Sequence, residues 1–153
     1  MVPESVEREV LIEAPVEVVW SIITEPEHVS RWLSDSAQID LRSGGDAVFK
    51  WEEFGAARAR VERVEPPHLF AFRWVTAAGK GADQAVGDGN STLVELRLSA
   101  EGESTRLRVV ESGFPQLDGS EAENANYAAK HSNGWDRELG ELRDYVVQVH
   151  AWT

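Results

Sequence analysis

Four histidines, at 28, 68, 131 and 150, and a set of carboxylates on alternating segments are the groups here best able to move a proton. His131 is the most informative of them. At ~100° per helical residue it lies about 40° from Trp135 and shares a flank with Tyr127, Glu138 and Tyr145. One edge of an apolar stripe therefore carries polar groups. The plainer reading is a helix flank that hydrogen-bonds to the ends of a sheet; the other is contact with a ligand at a cavity rim. His68 follows Pro66-Pro67 and His150 lies near the end of the sequence, so both are expected at the surface. His28, in a short helical segment, could serve either purpose.

Two carboxylates deserve the same scrutiny. Alternation places Glu53 with Phe49 and Trp51, and Glu111 with Leu107 and Val109. Inward carboxylates whose surroundings push their pKa values apart are what acid–base chemistry requires. Both stand at strand ends, where carboxylates are expected to be solvated, so no catalytic residue is assigned. A metal site needs several ligands converging on one point. His131 and Glu138 are seven residues apart, ~10 Å along a helix, too far to share an ion. Cysteine is absent, which removes thiolate chemistry, disulfides and Cys-ligated metals. No dinucleotide, P-loop, zincin, EF-hand or nucleophile-elbow pattern occurs, and Gly79-Lys80-Gly81 lacks the rest of a phosphate loop. Neither a cofactor nor a metal is expected.

The elements that would position these groups follow from the hydrophobic period. Residues Ser5 to Glu13 alternate, with Val6, Val10 and Ile12 on one face, as a half-buried strand does. Ala14-Pro15 opens a helix with its stripe at Val16, Val19, Trp20 and Ile23. Thr24-Glu25-Pro26-Glu27 has the spacing of a capping box and predicts a second short helix to about Leu33. From Asp35 to Ser112 the period is two. Ile39 with Leu41, Phe49 with Trp51, and Ala57, Ala59 with Val61 mark successive strands. Phe70, Phe72 and Trp74 mark the next, then Val94 to Leu98, and Leu107 with Val109. Turns fall at Gly44-Gly45, Pro66-Pro67 and Gly102, the pattern of an antiparallel meander. Thr76 to Asn90 interrupts it with a Gly-rich segment expected to be mobile and to border a cavity mouth. Ser120-Glu121-Ala122-Glu123 is another capping box. It opens a helix to about His150, whose stripe is Ala128, Trp135, Leu139, Leu142, Val146 and Val149. Asn133-Gly134 is its weak point.

Composition narrows the function. The chain has 153 residues, enough for one domain over 1–153, with 42% hydrophobic and 27% charged residues. Its net charge of −12 repels phosphate backbones and anionic bilayers, which argues against nucleic acid and membrane surfaces as partners. Nothing resembles a signal peptide or a spanning segment, so a cytoplasmic location is expected. Arg far outnumbers Lys, which fits a GC-rich bacterial genome.

Ile12-Glu13-Ala14-Pro15-Val16-Glu17-Val18-Val19-Trp20, Glu25-Pro26-Glu27 with Arg31-Trp32, and Val64-Glu65-Pro66-Pro67 occur in that order. Phe70-Ala71-Phe72-Arg73-Trp74, Ser91-Thr92-Leu93-Val94, Ser112-Gly113-Phe114-Pro115, and Gly134-Trp135 before Leu139 and Leu142 follow. Together they resemble the activator of heat-shock protein 90 ATPase homologue family of the START-like (SRPBCC) superfamily. The resemblance covers nearly the whole chain and implies an α+β helix-grip fold. In such a fold a curved antiparallel sheet of about seven strands wraps a long C-terminal helix, with two short helices after the first strand. It implies a small hydrophobic or aromatic ligand in a cavity between sheet and helix. A chaperone-partner module and a cyclase- or hydrolase-like enzyme are the alternatives. The relatives that give the family its name carry a further N-terminal domain, whereas this sequence begins at the fold's first strand, so ligand binding is favoured over a chaperone partner. Monomer and homodimer both remain open.

Strand parity and helix phase then assign the candidate ligand-binding residues. Trp32, Trp51, Phe54, Phe70, Phe72 and Trp74 line the cavity from one side, and Trp135 and Leu139 from the helix. Glu53, Glu111, His131 and Glu138 supply polar groups. The small Ala57 and Ala59 leave space among the aromatics unless a tryptophan fills it. A pocket and a solid aromatic core are both compatible with that pattern.

Overall fold

The computed structural model describes residues 1–53, 55–75, 85–87 and 89–151. Strand β1 (Ser5–Ile12) is followed by helices α1 (Val16–Thr24) and α2 (Pro26–Trp32). Six strands come next: β2 (Ser36–Ile39), β3 (Asp46–Trp51), β4 (Gly55–Glu65), β5 (Leu69–Val75), β6 (Ser91–Glu101) and β7 (Ser104–Ser112). A 3-10 turn (Phe114–Gln116) then leads into α3 (Glu121–Ala151).

The strands form one antiparallel sheet in the order β1-β7-β6-β5-β4-β3-β2. Its middle is a meander, and its two edges are the strands on either side of the short helices. Helices α1 and α2 therefore carry the chain from one edge to the other. The sheet curves, and β4 contributes a register shift between Val61 and Arg63, a bulge that bends a strand. The expected fold class is the one found.

The inward face holds the core. Phe49, Phe70, Phe72, Leu96 and Leu107 are fully buried. Each removes side-chain area worth roughly 1.5–3 kcal/mol. Helix α3 closes this face with Ala128, Trp135, Leu139, Leu142 and Val146, all buried as the helical stripe requires. Its N-terminus is the predicted capping box: the Glu123 N–H donates to Ser120 Oγ at 3.1 Å and the Ser120 N–H to Glu123 Oε1 at 3.0 Å. The helix runs without interruption past Asn133-Gly134.

Three local expectations are corrected. Thr24 does not cap α2; its hydroxyl donates back to the Trp20 carbonyl at 2.8 Å inside α1. Pro26 at the start of α2 has no N–H to cap, and Glu25 is the extended N-cap residue without a side-chain bond. Pro15 is the N-cap of α1 rather than its first helical residue. Strand β2 ends at Ile39, so Leu41 lies outside it and is exposed.

Arg8 is the charge on the wrong face. It alternates with Val6 and Val10 on the inward side of edge strand β1 and reaches Asp136 on α3 at 2.8 Å, with Ser132 also accepting from it. An inward charge at a sheet edge discourages pairing with another chain, and here it also ties α3 to β1. On the outer face, ion pairs cross from β7 to β1, with Arg108–Glu7 at 2.7 Å and Arg106–Glu9 at 3.1 Å. Exposed pairs like these contribute ~0–1 kcal/mol each. Among the described residues no helix is long and apolar enough to cross a membrane.

Candidate functional site

Glu111 is 0% exposed, at the end of β7. Four donors surround its carboxylate. The Trp74 indole N–H on β5 and the Thr92 hydroxyl on β6 donate to Oε2 at 2.9 and 2.6 Å. The Trp135 indole N–H on α3 donates to Oε1 at 2.8 Å. His131 Nδ1 lies 2.7 and 2.8 Å from the two oxygens. Burial would push this carboxyl up, but the bond from His131, that ring's charge when it is protonated, and the bonds from Thr92 and Trp74 outweigh it and hold it below the ordinary carboxylate value.

The sequence places each donor. Thr92 precedes Val94 and Leu96 at spacing two, so it faces inward with them. Trp74 continues the inward series Phe70 and Phe72. His131 and Trp135 are one helical turn apart and face the sheet together. Gly113, at φ 99°, turns the chain directly after β7 and sets Phe114 beneath α3, with its ring edge-on to His131 at 5.9 Å. That fold-back covers Glu111. Expecting solvation at this strand end was mistaken, because β7 is an interior strand: Glu111 is flanked by Val6 on β1 and Val94 on β6.

Around this node runs an aromatic layer. Trp74 stacks on Trp135 with ring centres 5.8 Å apart, and meets Trp51 at 6.1 Å and Phe72 at 5.3 Å. Phe49, absent from the predicted site, joins it at 5.2 Å from Phe72. Phe70 continues the row at 5.3 Å from Phe72. Trp51 is half-buried and donates its indole N–H to the Leu33 carbonyl at 2.9 Å. Ala57 sits opposite Phe49 and is also only half-buried, whereas Ala59 is buried.

Helix α3 approaches this layer from one side. Its close backbone neighbours are β1, the 3-10 turn, α1 and α2. Tyr145 meets His28 of α2, with Nδ1 2.7 Å from the hydroxyl. Glu138, between that pair and the Glu111 node, has a side chain only 15% exposed. Its carboxyl is pushed up to about 7 by burial first and by repulsion from Glu141 second, with Arg137 opposing. Leu139 is buried in the core beside it.

Two predicted site residues, Trp32 and Glu53, do not join this grouping. Trp32 is buried between helices and donates to the Ile22 carbonyl at 3.1 Å, holding α2 to α1. Glu53 lies in an exposed turn after β3 ends at Trp51, so strand parity no longer governs it. Phe54 lies outside the described residues, as does most of the Gly-rich segment. Of that segment, Gly87 donates its N–H to Asn90 Oδ1 at 2.8 Å, and Gly89 accepts from the Asp118 N–H at 2.8 Å. Away from all of these, an open groove of about 370 Å³ lies between β1 and the end of α3, lined by Leu11, Glu13, Arg143, Asp144 and Val147.

The family model described as "Activator of Hsp90 ATPase homolog 1-like protein" matches residues 13–147. Among solved structures, DynU16, a putative protein in the dynemicin biosynthetic locus, is 25% identical with a TM-score of 0.73. The match covers 94% of this chain and 47% of DynU16, so this chain spans about half of that one. CalU16 from Micromonospora echinospora is 27% identical with a TM-score of 0.66, over 93% of this chain and 75% of the other. The Aha1 dimer from Colwellia psychrerythraea shares the fold at 15% identity, with a TM-score of 0.72 over 93% and 95% of the two chains. The sequence has no match among curated proteins.

Proposed function

The chain belongs to the activator of Hsp90 ATPase homologue 1-like family, and from that premise we propose that it binds a small hydrophobic or aromatic molecule between α3 and the β3–β5 part of the sheet. One observation carries this reading. The aromatic layer continues past the side on which α3 packs, and there Trp51 and Ala57 stay half-buried, while α3 itself carries the largely buried carboxyl of Glu138. Apolar rings with a few polar groups at the edge are the usual make-up of a small-molecule site. A relative encoded in a biosynthetic locus points the same way, toward a small organic ligand.

A neutral fluorescent aromatic, N-phenyl-1-naphthylamine, tests it. The protein should enhance its emission saturably, and Ala57→Leu should abolish the enhancement by filling the space beside Phe49 while leaving the far-UV circular dichroism unchanged. No saturable binding, or binding indifferent to Ala57→Leu, would contradict the assignment.

A further inference from the structure

We propose that Nε2 of His131 is the docking point for an acidic hydroxyl, a phenol or enol, on the bound ligand, an assignment that rests on the ligand-binding reading above. The node around Glu111 uses only one side of the imidazole. Each carboxylate oxygen already accepts an N–H or O–H from Trp74, Thr92 or Trp135, an arrangement that favours the ionised carboxylate over a carboxyl that donates its own proton. The shared proton therefore sits on His131 Nδ1, and in the neutral ring Nε2 is an acceptor with a lone pair. Among the described residues Nε2 has no hydrogen-bond partner, and the side chain is 21% exposed.

The surroundings select the ligand further. Tyr127 lies 4.6 Å from the His131 ring, and Trp74 and Phe114 stand edge-on at 6.0 and 5.9 Å. That collar suits a flat aromatic partner. A carboxylate-bonded imidazole is a stronger acceptor than a free one, because the carboxylate stabilises positive charge that builds on the ring as it accepts. An acidic O–H gains most from such an acceptor. An anionic ligand would meet Glu111 and the −12 net charge instead. The site therefore favours a neutral hydrogen-bond donor over an ether or a carboxylate of the same shape.

Three probes of one ring system decide it: 2-naphthol, 2-methoxynaphthalene and 2-naphthoate, titrated against the whole chain by quenching of tryptophan emission. The naphthol should bind roughly tenfold tighter than the ether, the value of one good hydrogen bond to a polarised acceptor, and the naphthoate weakest. His131→Gln should bring the naphthol down to the affinity of the ether and leave the ether unchanged. Independently of any ligand, long-range proton–nitrogen NMR in mildly alkaline buffer should show His131 protonated at Nδ1 alone. Equal binding of naphthol and ether by the wild-type chain would overturn the His131 assignment while leaving the cavity reading intact. Failure of all three probes to bind would overturn both. Should His131→Gln not fold, the wild-type comparison and the tautomer decide, and a proton on Nε2 would overturn the assignment.

Discussion

Replacing Glu111 by Gln keeps its size and removes half of its accepting capacity. If the new NH₂ takes the place of Oε1, it points at the Trp135 indole N–H, now 2.8 Å from a donor instead of an acceptor. If it takes the place of Oε2, the Trp74 indole N–H meets the same fate at 2.9 Å. Thr92 can rotate its hydroxyl and His131 can exchange tautomers, but an indole can only donate. One buried N–H is orphaned either way, costing about 1–3 kcal/mol, and loss of the charge weakens the bonds that survive. We expect Glu111→Gln to lower unfolding stability by about 2–4 kcal/mol, a large share of the 5–15 kcal/mol typical of a domain. Urea denaturation followed by circular dichroism measures it. The mechanism makes a sharper demand in a double-mutant cycle with Trp135→Phe, which deletes one of the competing donors. The amide can then face the phenyl ring, so the cost of Glu111→Gln should fall by about 1–3 kcal/mol in that background. A loss below about 0.5 kcal/mol, or the same loss in both backgrounds, would refute the reasoning.

The pH dependence of the same variant has a fixed sign. Because the folded Glu111 carboxyl is held below its ordinary value, its stabilisation is present above the usual carboxylate range and fades as pH falls through the folded value, so the gap between wild type and Glu111→Gln should narrow in acid melts. Glu138 runs the opposite way: raised from the ordinary 4.5 to about 7, it disfavours the folded state increasingly as pH rises between those two values, and Glu138→Gln should stabilise the chain at neutral and alkaline pH but not below the ordinary carboxylate range, by about 1 kcal/mol after allowing for solvent screening. Trp135→Ala deletes a buried indole, its stack on Trp74 and its bond to Glu111, and should cost roughly 3–5 kcal/mol in urea titrations; His131→Ala leaves Glu111 three other donors and should cost about half as much or less. Ser120→Ala breaks the reciprocal bonds at the start of α3 and should lower stability by about 1 kcal/mol, whereas Thr24→Ala, which removes no cap, should change the melting temperature little.

The element order was legible because two periods alternate cleanly along the chain, and the stripe from Ala128 to Val146 has one phase through five buried residues. Parity also put Glu111 and the neighbouring aromatics on one face. What parity could not convey was which strands are interior. Glu111 ends a strand flanked on both sides, so it is buried, whereas Glu53 follows a strand that has already ended and is exposed. Thr92 could have been found by the same count of two from Val94, but a lone inward threonine reads as packing until a carboxylate is known to lie across from it. Thr24 misled because its spacing to Glu27 fits a capping box equally well when the hydroxyl turns back to Trp20. Trp32 was expected among the sheet aromatics because apolar bulk alone does not say which layer a helix side chain enters.

The pairing of β1 with β7 also imposes an order on assembly. Ser5 registers with Ser112, so closing that edge joins segments separated by roughly 100 residues, while the hairpins from β2 to β7 each join strands consecutive in sequence. Local contacts form faster than distant ones, and α3 follows β7 directly in sequence. The Glu111 node draws its donors from β5, β6 and α3, all within this later stretch of chain. It can therefore be complete before the first strand arrives. Contact order therefore favours β1 docking last, and the charge of Arg8 on that strand disfavours pairing with another copy in the meantime.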